Sequence, residues 1–273
     1  MRVESAGLEL AWSERGSGPP VLLVHGFGGS GRAWGETVLD ALAGRHRVLV
    51  VDLPGHGASG DPADERRVAL GPVLDDLARI LQAAGVAACP WIGYSMGGRI
   101  ALAAALLCPR RVTALVLESA SPGLMTEAER SRRRADDDAL ARSILADGVD
   151  DWVEAWEASP LFAGRQRLDP DARAALLADR RANRTGSLAA WLRGLGLGSQ
   201  PSFWDRLGAV GVPTLLVTGA DDERYGEIAR RMADVIPQAR QARISGAGHT
   251  VHLERPQAWL DAVRPFLADI DFT

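Results

Sequence analysis

WIGYSMGGRIAL, residues 91–102, places Ser95 inside a Gly-x-Ser-x-Gly frame between an apolar run and a run typical of a helix. A serine on a sharp turn from strand to helix holds its hydroxyl exposed above the sheet. Such a turn leaves room only for glycine on either side, and Gly93 and Gly97 occupy those two positions. The stretch therefore predicts a nucleophilic serine at the carboxyl end of a strand.

Short apolar runs on both sides of this stretch predict the other strands of one sheet. They cover residues 20–26, 46–55, 90–95, 112–119 and 212–220. Continuous apolar runs are typical of parallel strands that are covered on both faces. A helical pattern over Val73–Ala84 lies between two of these runs. The alternation predicts an α/β fold with a mostly parallel central sheet flanked by helices.

The strand pattern stops between about Pro122 and Leu207, where the chain becomes charged and helical in character. A strand-free segment between two sheet strands is typical of an insertion. We therefore predict a helical cap at 122–207 on a core formed by 1–121 and 208–273. The cap is expected over the carboxyl edge of the sheet, where ligands bind in open α/β sheets.

The composition restricts the chemistry. All 31 basic residues are arginine, which excludes lysine Schiff bases, pyridoxal chemistry and a phosphate-loop lysine. We expect no cofactor. The net charge of −4 gives no reason to expect a nucleic-acid partner. No run has signal-peptide or membrane-helix character, which favours a cytoplasmic protein without membrane insertion. We expect a small-molecule substrate and a monomer or small homo-oligomer, with Cys89 and Cys108 as small apolar residues rather than a disulfide.

A serine hydroxyl needs a base and an acid, which in this strand–helix arrangement follow in the order Ser, Asp or Glu, His. His249 in ISGAGHTVHLERP, residues 244–256, is the predicted base. The spacing from Gly219 favours Asp222 as the acid, and the adjacent Asp221 remains the alternative. His249-x-x-His252 resembles a metal-ligand spacing, but no acidic cluster accompanies it, so we predict no metal.

The oxyanion hole is predicted from the same strand-end logic. The backbone N–H of Met96 follows the nucleophile, and that of Phe27 follows the first central strand. Both would point at an oxygen that becomes negatively charged during the reaction.

Across the whole chain these motifs resemble the α/β-hydrolase superfamily. Five segments are also similar to the family of menaquinone-pathway synthases that make 2-succinyl-6-hydroxy-2,4-cyclohexadiene-1-carboxylate; they are residues 93–102, 117–144, 152–162, 180–207 and 246–256. That resemblance implies a carbon–oxygen lyase that removes a proton from 2-succinyl-5-enolpyruvyl-6-hydroxy-3-cyclohexene-1-carboxylate and expels pyruvate. The Ser95 relay would then act as a base and no acyl-enzyme would form.

The same resemblance implies the residues that bind this tricarboxylate substrate. The family's pocket positions fall on Tyr94, Arg99, Arg133, Trp156 and Arg181. Residues 223–225, Glu-Arg-Tyr, depart from the lysine and phenylalanine that family members often carry there.

The alternative is a serine hydrolase of the same fold, whether esterase, thioesterase or carbon–carbon bond hydrolase, acting on a small carboxylated substrate. The triad does not separate it from the lyase, because one fold hosts many chemistries. The lining of the cavity does: arginines suit a polyanion, and an apolar lining suits a lipid-like ester.

Overall fold

The computed structural model describes residues 1–270, and an eight-stranded sheet forms its centre. The strands are β1 (Arg2–Ser5), β2 (Leu8–Arg15), β3 (Pro20–Val24), β4 (Arg47–Asp52), β5 (Cys89–Tyr94), β6 (Val112–Glu118), β7 (Thr214–Gly219) and β8 (Ala239–Ile244). Their order across the sheet is β1-β2-β4-β3-β5-β6-β7-β8. Strand β2 runs antiparallel to both of its neighbours, β1 and β4, and all other neighbouring pairs are parallel. The predicted α/β fold with a mostly parallel sheet is confirmed.

The five predicted runs form the five central strands β3 to β7; β5 is shifted by one residue from its run, and the other four strands are shorter than theirs. The apolar runs were visible because these strands are covered on both faces: β3 directs Leu22 and Val24 into one core and Val21 and Leu23 into the other. The outer strands β1 and β2 were not predicted. Edge strand β8 exposes Arg240, Gln241 and Arg243 and has no fully buried residue, a polar pattern typical of an exposed sheet edge.

Helices cover both faces of the sheet and fill the segment between β6 and β7. They are α1 (Glu36–Ala43), α2 (Leu70–Ala83), α3 (Met96–Leu107), α4 (Glu127–Asp147), α5 (Val149–Glu157), α6 (Pro170–Arg181), α7 (Thr185–Leu195), α8 (Glu223–Ala233), α9 (Val251–Glu254) and α10 (Pro256–Ala268). The helical pattern predicted at Val73–Ala84 corresponds to α2. Within residues 1–270, no helix combines the length and the apolar character that crossing a membrane requires.

Helices α4 to α7 lie between β6 and β7, in the stretch that the sequence assigns to the cap. They share a small core of their own, in which Ile144 of α4, Trp152 of α5 and Leu188 of α7 are buried. Trp191 of α7 donates from its indole nitrogen to the carbonyl oxygen of Pro54 at 2.6 Å, which ties this helix to the loop after β4. We keep the name cap for residues 122–207, as a proposed unit.

Candidate active site

The turn between β5 and α3 presents Ser95. Its φ of 51° and ψ of −108° lie in a region that residues with a side chain rarely adopt. A side chain at Gly93 would collide with the backbone of Gly97, and one at Gly97 would collide with the carbonyl oxygen of Val24. The two glycines therefore allow α3 to start directly above β3 and β5, with the serine hydroxyl exposed at the sheet edge.

His249 and Asp222 lie within hydrogen-bonding distance of each other and of this turn. The His249 Nε2 atom is 3.2 Å from the Ser95 Oγ atom, and its Nδ1 atom is 2.7 Å from Asp222 Oδ2. The other Asp222 oxygen accepts the backbone N–H of Tyr225 at 3.1 Å and caps α8. With both oxygens engaged, the carboxylate can hold the imidazole in one orientation.

Asp221, the alternative acid, points away from His249. Its carboxylate is half-exposed and pairs with Arg167 at 2.8 Å. Of the two adjacent aspartates, the structure therefore brings only Asp222 to the histidine.

The two proposed oxyanion donors lie beside the serine. Met96 is the first residue of α3, so its N–H has no acceptor within the helix, and Phe27 lines the same cavity as Ser95. Two buried histidines brace the Phe27 loop: burial lowers the pKa of His25 and of His56, and both are therefore neutral. Each then accepts a backbone N–H at Nε2, His25 from Leu53 at 3.1 Å and His56 from Gly28 at 3.3 Å.

A cavity of about 130 Å³ opens above Ser95. Its walls combine apolar side chains with three arginines, and among them are Phe27, Trp156, Leu161, Phe162, Trp191, Leu192, Tyr225, Arg99, Arg133 and Arg224. The lining thus offers both flat apolar surface and positive charge to a ligand.

Arg99 lines this cavity, and within residues 1–270 it forms no ion pair. Its guanidinium donates to the carbonyl oxygen of Leu195 at 3.3 Å and to the side-chain oxygen of Gln200, both of which are neutral. Burial lowers its pKa to about 10, so the group remains charged at neutral pH. A charge held among neutral acceptors is suited to an anionic ligand.

Arg133 and Trp156 also line the cavity, as the sequence predicts. Arg133 pairs through Nε with Asp137 at 2.7 Å, so part of its charge is already neutralised. The Trp156 ring packs between Phe27 and Phe162, with centroid distances of 5.4 and 5.5 Å, and its buried indole nitrogen has no protein partner.

Tyr94 is not among the residues that line the cavity. Its ring lies behind the histidine, edge-on to His249 at 5.7 Å and to His252 at 4.9 Å. Tyr94 ends β5, and its side chain packs in the core on the face of the sheet that carries α10. Its hydroxyl contacts Thr250 at 3.0 Å instead of the cavity.

The prediction for Arg181 is wrong in this structure. Its side chain is about half exposed and pairs with Asp150 at 3.2 Å on the outer side of α6. The adjacent Arg180 is the buried member of the pair, and its Nε lies 2.9 Å from Glu157 Oε1. Consecutive helical residues point about 100° apart, so a shift of one position turns the side chain from the interior to solvent.

Several buried charged groups near the site were missed. Arg165 and Glu157 form an ion pair at 2.6 Å beneath the cap, and Glu118 pairs with His252 at 2.8 Å behind the triad. This pairing accounts for His252 without a metal. No group of three or more His, Cys, Asp or Glu side chains in the described chain could hold a metal ion.

Comparisons with known proteins agree with this geometry at the level of the family. Residues 19–256 match the model of the α/β-hydrolase fold family. A Bacillus subtilis protein provisionally named 2-succinyl-6-hydroxy-2,4-cyclohexadiene-1-carboxylate synthase is 39% identical over 97% of both chains. The synthase of that name from Citrobacter koseri is 34% identical over 91% of this chain and 94% of its own. The solved structure of MenH from S. aureus superimposes with a TM-score of 0.90 at 32% identity, over 95% of this chain and 98% of that one.

Proposed function

The chain belongs to the α/β-hydrolase fold family and to its 2-succinyl-6-hydroxy-2,4-cyclohexadiene-1-carboxylate synthases, and on that premise we propose that Ser95, His249 and Asp222 carry out the synthase reaction. The reaction is an elimination in menaquinone biosynthesis. A proton leaves 2-succinyl-5-enolpyruvyl-6-hydroxy-3-cyclohexene-1-carboxylate, the carbon–oxygen bond to the enolpyruvyl group breaks, and the departing enolpyruvate takes up a proton to become pyruvate.

The triad acts as a base in this proposal. The Ser95 hydroxyl takes the proton beside the succinyl carbonyl and passes its own to His249 Nε2, 3.2 Å away. Asp222 holds the Nδ1 side of the ring at 2.7 Å and stabilises the imidazolium that results. The amides of Phe27 and Met96 receive the negative charge that builds on the carbonyl oxygen. No bond from Ser95 to carbon is needed.

The observation that carries the lyase over a hydrolase is the charge of the cavity. Arg99 stands beside Ser95 without an acidic partner, and Arg133 and Arg224 line the same cavity. The substrate has three carboxylates, whereas a lipid-like ester would gain nothing from buried cations and would face their desolvation. The serine hydrolase remains the alternative, and it rests on the same triad.

The direct test supplies the enolpyruvyl substrate to the purified protein. We expect one pyruvate per substrate and the absorbance of the conjugated diene product, released at the same rate. Mass spectrometry during turnover is expected to find Ser95 unmodified. An acyl group trapped on Ser95, or ester hydrolysis without pyruvate, would favour the hydrolase.

Arg99→Ala is expected to lower kcat/KM about 10- to 150-fold, because a charge-assisted hydrogen bond contributes about 1.5–3 kcal/mol. Steady-state pyruvate release measures the effect. Arg142→Ala is the matched control, since Arg142 lies on the exposed face of α4 and pairs only with Asp138. Equal activity of the two variants would contradict the role of Arg99.

Arg180 and Arg181 give a paired test within one helix. Arg180 does not line the cavity, but it is buried beside Glu157 and its Nη1 has no protein acceptor. Arg180→Met is therefore expected to lower kcat/KM by at least about 10-fold. Arg181→Met is expected to stay within about twofold of the parent, since Arg181 only pairs at the surface with Asp150. The opposite order of the two effects would restore the original assignment to Arg181.

We further propose residues 122–207 as the cap of a cytoplasmic enzyme that acts on a small molecule as a monomer or small homo-oligomer. Cys89 and Cys108 are free thiols and form no disulfide, which supports a reducing compartment. Burial raises the pKa of Cys89 to about 12, which makes that thiol inert.

A further inference from the structure

Arg165 is a buried cation that the cap directs at the core. It lies in a short 3₁₀ helix, Pro160–Arg167, and only 1% of its surface is exposed. A guanidinium removed from water to this extent is costly unless each of its donors finds a partner. Each of its three nitrogens donates to a protein acceptor, and the contacts of the guanidinium fall into two groups.

One group acts on the positive charge, and its carboxylate, Glu157, is shared with Arg180. Nη1 pairs with Glu157 Oε1 at 2.6 Å, and the guanidinium carbon lies 3.8 Å from the centroid of the Phe162 ring. Both partners belong to the cap, so they would hold Arg165 wherever the cap lies. They do not explain why the side chain reaches across to the core.

The other group joins the cap to the two triad turns. Nη2 donates to the Tyr94 hydroxyl at 3.1 Å, and Nε donates to Thr250 Oγ1 at 2.9 Å. The two hydroxyls are 3.0 Å apart, so the three side chains form a closed triangle. Tyr94 immediately precedes Ser95, and Thr250 immediately follows His249.

The triangle has a consistent set of donors. Burial raises the pKa of Tyr94 above its ordinary value, although Arg165 acts in the opposite direction, so the phenol keeps its proton. The neutral phenol can accept from Arg165 and donate to Thr250. A guanidinium alone supplies two N–H groups in the fixed fork that this arrangement uses.

Building on the proposed function, we propose that Arg165 is a positioning residue that sets the Ser95–His249 separation from the cap by holding Tyr94 and Thr250 together. The triad is then aligned when this part of the cap is seated on the core. Arg165 is not among the residues that line the cavity, so we expect it to act through Tyr94 and Thr250.

The test compares Arg165→Met, Arg165→Lys and a matched control, Arg173→Met, which changes an exposed arginine of the same cap. Arg165→Met is expected to lower kcat at least 10-fold with KM changed less than threefold. Labelling of Ser95 by a fluorophosphonate is expected to slow by a similar factor, with Ser95→Ala as the blank. Arg165→Lys is expected to recover part of both rates, since an ammonium reaches one hydroxyl but not both.

Labelling rates corrected for the folded fraction separate positioning from a merely structural role. If the folded Arg165→Met protein labels and turns over at the rates of the wild type, the proposal is wrong. A rise in KM alone would also overturn it, because that result indicates direct contact with the substrate. Labelling needs no substrate, so a wild type that labels without releasing pyruvate would refute the function and leave Arg165 testable. Should Arg165→Met fail to fold, Thr250→Val removes one corner of the triangle and is expected to slow labelling similarly. A wild-type labelling rate in Thr250→Val would overturn the proposal.

Discussion

Ser95→Ala is expected to lower kcat for pyruvate release by about 10²- to 10⁴-fold, the range that a positioned acid–base group contributes. The alanine leaves His249 Nε2 without the hydroxyl 3.2 Å away through which the proton would pass. The residual rate reports what substrate binding and the oxyanion donors supply without the relay. Diene absorbance under saturating substrate is the measurement.

Ser143→Ala is the control for this substitution, because Ser143 lies on the exposed side of α4 and bonds only Asp147. His249→Gln should fall to the same level as Ser95→Ala, and the double variant should be no slower, since both residues act in one relay. A Ser95→Ala protein with parental turnover would show that another group removes the proton.

Glu118→Leu is expected to lower the free energy of unfolding by about 3–5 kcal/mol, the cost of leaving one partner of a buried ion pair unpaired. Glu118 and His252 are both buried behind the triad, 2.8 Å apart. The other ring nitrogen of His252 is 2.9 Å from the carbonyl oxygen of Ala33. Both ring nitrogens of His252 thus face oxygen atoms, and Glu118→Leu leaves the Nδ1 side without its buried partner.

Urea unfolding measures this effect, and Glu227→Leu serves as its comparison. Glu227 pairs with Arg230 on the exposed face of α8, where an ion pair contributes little. The two variants should therefore have clearly different midpoints with similar slopes. Coincident unfolding curves would mean that the buried pair is neutral in the folded state.

The sheet and the nucleophile turn could be predicted because their signals are local. A strand covered on both faces must be apolar throughout, as in β3 and β6, and a turn as tight as that at Ser95 requires glycine at fixed positions. The strand-end positions of Asp222 and His249 follow once the strand order is known. These features depend on residues that are close together in the sequence.

Arg181 was assigned from the family resemblance, and the sequence of α6 does not separate it from Arg180 because two registers are possible. Leu176 and Leu177 are adjacent, and each is followed four residues later by one of the two arginines. Only Leu176 is fully buried in the structure, and Arg180 shares its face. The register is set by packing of α6 on the core, which the helix sequence does not specify.

Arg165 and the Glu118–His252 pair had no local signal at all. Arg165 meets Tyr94 across 71 residues of sequence, and Glu118 meets His252 across 134. In a chain with 31 arginines, burial distinguishes Arg165 and Arg180 from most of the rest, and burial follows from the tertiary arrangement.

At position 95, thermal stability and catalysis favour different residues because of the backbone conformation. A side chain at φ 51° costs on the order of 1–3 kcal/mol, which glycine would largely avoid. Glycine, however, brings no oxygen to His249. Selection for heat resistance without a requirement for turnover would thus tend to replace Ser95 by glycine, and the rest of the core must compensate for the stability that the serine costs.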